Sequence, residues 1–463
     1  MKNLFILTFI AILFVSCNAD EFLDVVPTGS KIPNTIEDYD KLLEDHQTAN
    51  PTWANIYYMD PDTYLTDEIY NAITYEFQRN QYRWSQDQFL QNEDDNNWKY
   101  KYQRIYVYNL ILQDVDEADL GDRTEEDRKI IKGQAYAQRA FDYFFLVNEY
   151  GPHYSTENLD VPVVPMPLVP DLTAQLPRAT VGEIYEQIAK DLDVAEPLLS
   201  EYKPVDEVNF RPGKASVMGL RAWIALYQGD FDAAAQFADR ALGLYDFMYD
   251  YTQLTHRTPG NPWSGLSTTE FQFGTDSKDN IWGKYYSYYF NRPAWLYNPD
   301  LLSLYDQDND YRFVIFSSNL TYGGMDVSPN VAYARINAER QVGLTTPDLY
   351  MISAEAHARL GHNEEAITKL NTLLENRILN FTPLSTSDFV NSEDLLDYIK
   401  LERRKEFYAT GKTWFDMKRY HAYGEEVPVF TRTIEGQTYT LEPGSEKYIV
   451  PISPKILGQN PNL

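Results

Sequence analysis

The sequence predicts a mainly α-helical protein, in which tetratricopeptide-like helical hairpins form a scaffold and irregular, aromatic-rich loops with a few short strands lie on it. Three observations lead there. Apolar residues recur at helical spacing in several long segments. Two of those segments share a helix–glycine–helix pattern. Between them the texture changes to dense aromatics punctuated by proline and glycine.

The helices follow in order. Thr124 with Asp127 marks a helix start, and Ala137, Ala140, Phe141 and Phe144 then fall at i, i+3, i+4 and i+7. They make one face of a helix that ends at Gly151-Pro152. Thr180 with Glu183 is a capping box opening a helix whose apolar face is Ile184, Ile188, Leu192 and Ala195. Leu220 to Leu242 reads LRAWIALYQGDFDAAAQFADRAL, and Ile352 to Leu374 reads ISAEAHARLGHNEEAITKLNTLL. An offset of 132 superposes Ala222 on Ala354, Gly229 on Gly361, Ala234 on Ala366 and Leu242 on Leu374. Each is a tetratricopeptide-type helical hairpin, and because the copies are not tandem the solenoid is interrupted. Thr346-Pro347 supplies an N-cap and a proline at the first helical position of the second copy. Residues 151–178 and 258–265 read as long ordered loops, and Tyr439 to Leu441 and Tyr448 to Val450 as short strands.

Composition excludes several functions. With 43% hydrophobic residues in 463 the chain builds a large core. Its 69 acidic against 40 basic residues give a charge of −29, which argues against nucleic acid as a partner. Aromatics at 15% exclude a disordered low-complexity chain. One cysteine rules out a disulfide framework and a thiolate metal cluster, and six histidines leave little room for a multi-histidine metal site. Neither a metal nor a cofactor is expected.

Lys2 precedes a twelve-residue apolar run, Leu4 to Val15, broken only by Thr8, and Ser16 then precedes Cys17. The run is a signal-peptide core, since a membrane span needs about 20 apolar residues. The cysteine at its end resembles the lipobox of bacterial lipoproteins, although Phe14 and Val15 are looser than the strict pattern. Residues 1–16 are then a signal peptide and Cys17 the lipidated residue, and paired acyl chains would hold the protein to a membrane. Asp20 and Glu21 resemble the acidic signal that sends Bacteroidetes lipoproteins to the cell surface.

Four further motifs occur in order. Trp98 to Leu112 reads WKYKYQRIYVYNLIL, Gln134 to Gly151 QAYAQRAFDYFFLVNEYG, Leu401 to Arg419 LERRKEFYATGKTWFDMKR, and Tyr448 to Leu463 YIVPISPKILGQNPNL. Together with the lipobox they make the chain similar to the SusD/RagB family of surface nutrient-binding lipoproteins. The terminal Gln-Asn-Pro-Gly-Tyr extension of many members is missing. The resemblance implies one SusD-like domain over 17–463, with an N-terminal part of about 17–230 and a C-terminal part of about 231–463. Hairpins are expected at about 97–149, 181–228, 215–244 and 347–377. It implies an outer-membrane location at the cell surface, a SusC-like TonB-dependent transporter as partner, glycan binding and no catalysis.

Residue chemistry agrees that no enzyme motif is present: there is no Gly-x-Ser-x-Gly, His-Glu-x-x-His, phosphate loop or dinucleotide fingerprint. Asp94-Asp95 offers adjacent carboxylates, which chance supplies in so acidic a chain. The run Glu402-Arg403-Arg404-Lys405-Glu406 reads as a buried or semi-buried ion-pair network at a helix junction, with Asp416 and Arg419 pairing one turn apart. Asp306, Asp308 and Asp310 lack the glycine and distal glutamate of a calcium loop and read as a solvated turn.

Aromatic rings suit the apolar faces of sugars, with polar groups bonding the hydroxyl rim. Residues 53–108 hold fifteen aromatics and residues 282–297 hold eight. The candidate ligand platform is Tyr286, Tyr288, Tyr289 and Trp295 with Asn291 and Arg292, joined by Trp53, Tyr57 and Trp84 with Asp67. Trp98, Tyr102, Tyr106 and Trp282 are assigned to the core. Two alternatives remain open: a binder of peptides or another nutrient in the same transporter system, and a protein-interaction scaffold without small ligand.

Overall fold

The computed structural model describes residues 33–45, 54–200, 210–271, 274–287, 295–334 and 339–463. Among them are sixteen helices and fourteen short strands. The ten helices of eight residues or more are α1 (Ile36–Leu43), α2 (Asn96–Asp114), α3 (Glu125–Tyr150), α4 (Val181–Leu198), α5 (Lys214–Gln228), α6 (Phe231–Leu244), α7 (Thr346–Arg359), α8 (Asn363–Leu374), α9 (Ser392–Glu406) and α10 (Lys412–Ala422). The expected mainly α-helical class is what the chain adopts. No helix among the described residues is long and apolar enough to cross a membrane.

Local chemistry sets the helix ends. Thr124 and Asp127 close a capping box at the start of α3, as Thr180 and Glu183 do for α4. From Gly133 to Tyr150 nearly every residue of α3 is buried, so this helix is the central post of the molecule. At α7 the expectation needs correcting by one residue. Thr345 is the N-cap, its hydroxyl accepting the Asp348 amide while the Asp348 carboxylate takes the Thr345 N–H at 2.9 Å. Thr346 is the first helical residue, and its hydroxyl donates to the Phe247 carbonyl at 2.5 Å.

Helices α5 and α6 form one hairpin and α7 and α8 the other. Each turns on a left-handed glycine, Gly229 at φ 76° and Gly361 at φ 77°, a conformation any Cβ would strain. Ala234 and Ala366 are fully buried where the paired helices meet. Helix α6 also packs directly on α7, so the hairpins stack as neighbours although residues 245–345 separate them in sequence.

That long excursion carries most of the small strands. Thr63–Tyr64, Leu296–Tyr297, Ala332–Tyr333 and Ser317–Ser318 form an antiparallel four-stranded sheet in that spatial order. Two segments expected as loops contain strands. His256–Thr258 and Asn261–Leu266 make a hairpin, and Pro162–Pro165 pairs with Arg178–Thr180. The expected strand at 439–441 lies within Gln437–Leu441, paired with Phe430–Ile434. Tyr448 to Val450 is not a strand: Ser445 caps a single helical turn there, and the Val450 amide leaves it to bond the Glu149 carbonyl.

Candidate ligand-binding site

The four-stranded sheet joins the two aromatic-rich segments. Its first strand follows the helix Ala54–Met59, and its second follows Trp295. Tyr57 and Trp295, 238 positions apart in sequence, stack with centroids 4.1 Å apart and planes at 29°. The short helix bearing Tyr57 is pinned by Asn55, whose amide donates to Asp95 at 3.0 Å and Glu149 at 3.2 Å. Beneath the sheet Tyr297 stacks on Tyr408 at 4.7 Å, and the Tyr408 hydroxyl donates to the Leu296 carbonyl at 2.6 Å. A fixed aromatic floor therefore underlies the region.

The individual candidates separate into three groups. Cys17, Trp53, Tyr288, Tyr289, Asn291 and Arg292 lie outside the described residues. Tyr286 lies on the strand Tyr285–Ser287, in register opposite Arg340. Tyr57, Trp84 and Trp295 are buried, at 4%, 1% and 3% exposure, and present no open ring face in this structure.

Trp84 is the plainest departure from the sequence reading. Its indole N–H donates to the Met59 carbonyl at 2.7 Å, and the Arg432 guanidinium lies 4.1 Å from its ring. Arg432 sits as close to Tyr82 on its other contact and donates to the carbonyls of Tyr58, Tyr82, Asp60 and Thr63. Trp84 thus serves the junction between the C-terminal hairpin and the site. Asp67 is exposed, but its carboxylate accepts the Glu435 amide of that same hairpin at 2.9 Å. Trp98 and Trp282 are buried, as assigned to the core.

An aromatic pair absent from the sequence candidates reaches the surface, with Trp263 half-buried and Tyr322 exposed. Trp263, on the strand Asn261–Leu266, meets Tyr322 edge to face with centroids 5.7 Å apart. Tyr322 is 71% exposed. The Trp263 indole donates to the Leu320 carbonyl at 2.8 Å, which fixes its plane. Thr321 and Met325 exchange bonds that close the turn under Tyr322, and Leu320 and Met325 add exposed apolar surface. The Arg257 guanidinium lies over Gly265 at the margin. The turn grows out of Ser317–Ser318, the edge strand of the same sheet. A Trp between Pro262 and Gly265, and a Tyr before Gly323-Gly324, were the signals that would have marked these rings, since neither belongs to a helical stripe.

Electrostatics around the floor are structural. Burial first, and then the charge of Asp62, push the Asp60 carboxyl up to about 8. Asp62 itself is held by Arg404, whose Nε lies 2.9 Å away. Asp306 accepts bonds from Asn309 in an exposed turn, whereas Asp310 is buried against Arg312 at 2.6 Å; this corrects the reading of all three carboxylates as solvated. Among the described residues no group of three or more His, Cys, Asp or Glu side chains could hold a metal.

These features define a class: a helical-hairpin scaffold that carries an aromatic surface on inserted strands and turns. A SusD-like model, described as starch-binding and associating with outer membrane, matches residues 21–226, and the SusD family model matches residues 346–463. The chain belongs to the SusD/RagB family. It is 25% identical over 453 residues to a SusD-like protein of Formosa agariphila, covering 82% of this chain and 81% of that protein. A SusD-like carbohydrate binding protein from Bacteroides vulgatus has the same fold (TM-score 0.66, 21% identity, 93% of this chain and 97% of that one). So does a SusD superfamily protein from Bacteroides thetaiotaomicron (TM-score 0.70, 18% identity, 92% and 98%).

Proposed function

We propose that this protein is a cell-surface lipoprotein, anchored at Cys17, that binds extracellular glycan without catalysis. It passes the ligand to a SusC-like TonB-dependent outer-membrane transporter over which it acts as a lid. The observation that carries the binding part is the surface Trp263–Tyr322 pair beside the sheet that unites the two aromatic-rich segments. A fixed indole and an open phenol ring offer apolar area to a sugar face at small entropic cost. Family membership supports the transporter and the membrane anchor.

The test is a screen of residues 18–463 against polysaccharides and peptides by affinity gel and calorimetry. Retardation by one glycan class is expected, with Tyr322→Ala weakening binding about tenfold, equivalent to about 1.4 kcal/mol. Response to peptides alone would replace sugar by peptide as the cargo. Silence toward both would leave a protein-interaction scaffold for the transporter.

A further inference from the structure

We propose that His357 and His362 form a binding site for a zinc-class transition-metal ion at the turn between α7 and α8. His357 lies in the last turn of α7, and His362 is the N-cap of α8. Left-handed Gly361 and the bond from the His362 amide to the His357 carbonyl, 2.9 Å, fold the intervening residues back. The two Nδ1 atoms consequently stand 3.4 Å apart, with ring centroids at 5.7 Å and planes tilted by 45°.

That separation matches a metal edge. Two nitrogens each 2.0–2.1 Å from a tetrahedral zinc ion lie about 3.4 Å from one another. Tautomer control points the same way. The His357 Nε2 is 3.2 Å from Asp239 Oδ2 on the neighbouring helix α6. The other Asp239 oxygen accepts from Lys369 Nζ and the Ser353 hydroxyl, each at 2.7 Å, so Asp239 is an ionised, acceptor-only group. It therefore keeps the His357 proton on Nε2 and leaves the Nδ1 lone pair facing His362. This carboxylate–histidine pairing is the arrangement that orients metal-ligating imidazoles. His357 is partly buried and fixed, whereas the exposed His362 ring has room to turn its lone pair to the common point.

Two imidazoles and no carboxylate ligand select zinc, nickel or copper over calcium and magnesium. Water completes the coordination. The bound ion would clip the end of α7 to the start of α8, fixing the turn of the second hairpin. This site is independent of the glycan reading, since it lies in the scaffold.

Calorimetric titration of the tag-free protein with zinc ion tests the proposal. One ion per chain is expected to bind, with no comparable response to calcium. His362→Gln, a change at an exposed position, is expected to abolish stoichiometric binding, and Asp239→Asn to weaken it at least tenfold. Zinc should raise the melting temperature of the parent protein and leave that of His362→Gln unchanged. Failure of the parent to bind zinc, or undiminished binding by His362→Gln, would overturn the proposal.

Discussion

Arg432 donates to four main-chain carbonyls, three within residues 58–63 and one at Tyr82, and rests against Tyr82 and Trp84. Burial lowers its guanidinium to about 10, so it stays charged at neutral pH and depends on those carbonyls. Arg432→Met should lower stability by about 3–5 kcal/mol in urea denaturation, because several buried acceptors lose their donor together. Asp60 gives a pH signature of its own. Its carboxyl is raised by burial and Asp62, so the folded state holds a proton that the unfolded chain releases near pH 4. The contribution of Asp60 is full below that pH and is lost as pH rises toward 8. Asp60→Asn should match the parent near pH 4, flatten this decline and exceed the parent in stability at pH 8, read from melting temperatures across the range. At this scale the sequence was least informative. Trp84 and Trp263 both sit among polar and turn-forming residues, and only the arrival of Arg432 over one ring separated core from surface.

Among the elements, hairpin turns and caps were the most legible, because they depend on neighbours in the chain. The capping boxes at Thr124 and Thr180 and the glycine turns at 229 and 361 formed where the sequence placed them. Thr345 displaced Thr346 as a cap because Asp348 reaches back to its amide. Thr345→Ala should cost about 1 kcal/mol in urea denaturation, the usual loss of a capping side chain. Gly361→Ala should cost a similar amount, about 1 kcal/mol, since alanine must enter the left-handed region at φ 77°. The strands at 162–165 and 256–266 were hidden because their partners, rather than any alternating pattern of their own, make them strands.

Across the whole molecule, the motifs that carry the family resemblance build the core. Arg139 pairs bidentately with Asp191, Arg104 with Asp142 and Arg419 with Glu355, while Arg403 and Arg419 each make a single contact with Asp416. The charged run at 402–406 is thus the buried network expected of it, extended by Arg312 to Glu402 at 2.7 Å and Arg377 to Glu406 at 2.9 Å. Burial opposes ionisation of Glu355, but Arg419 and Arg359 outweigh it and hold the carboxyl well below the usual range. Its contribution is present above about pH 4.5 and fades as pH falls further. Glu355→Gln should destabilise by about 3–5 kcal/mol at neutral pH, because it leaves buried arginines uncompensated. That loss should shrink in acid, as chemical denaturation at pH 7 and pH 3 would show.

The sequence alone determined the helical class, the hairpin repeat and the ion-pair junction. Those rest on periodicity, local turns and charges that have to be matched wherever they are buried. Only the tertiary structure decided that α6 meets α7 across a hundred intervening residues, that Trp84 and Trp295 are packed, and that Trp263 and Tyr322 are presented. Whether an aromatic ring is core or surface depends on what the rest of the chain lays over it, and no local pattern encodes that.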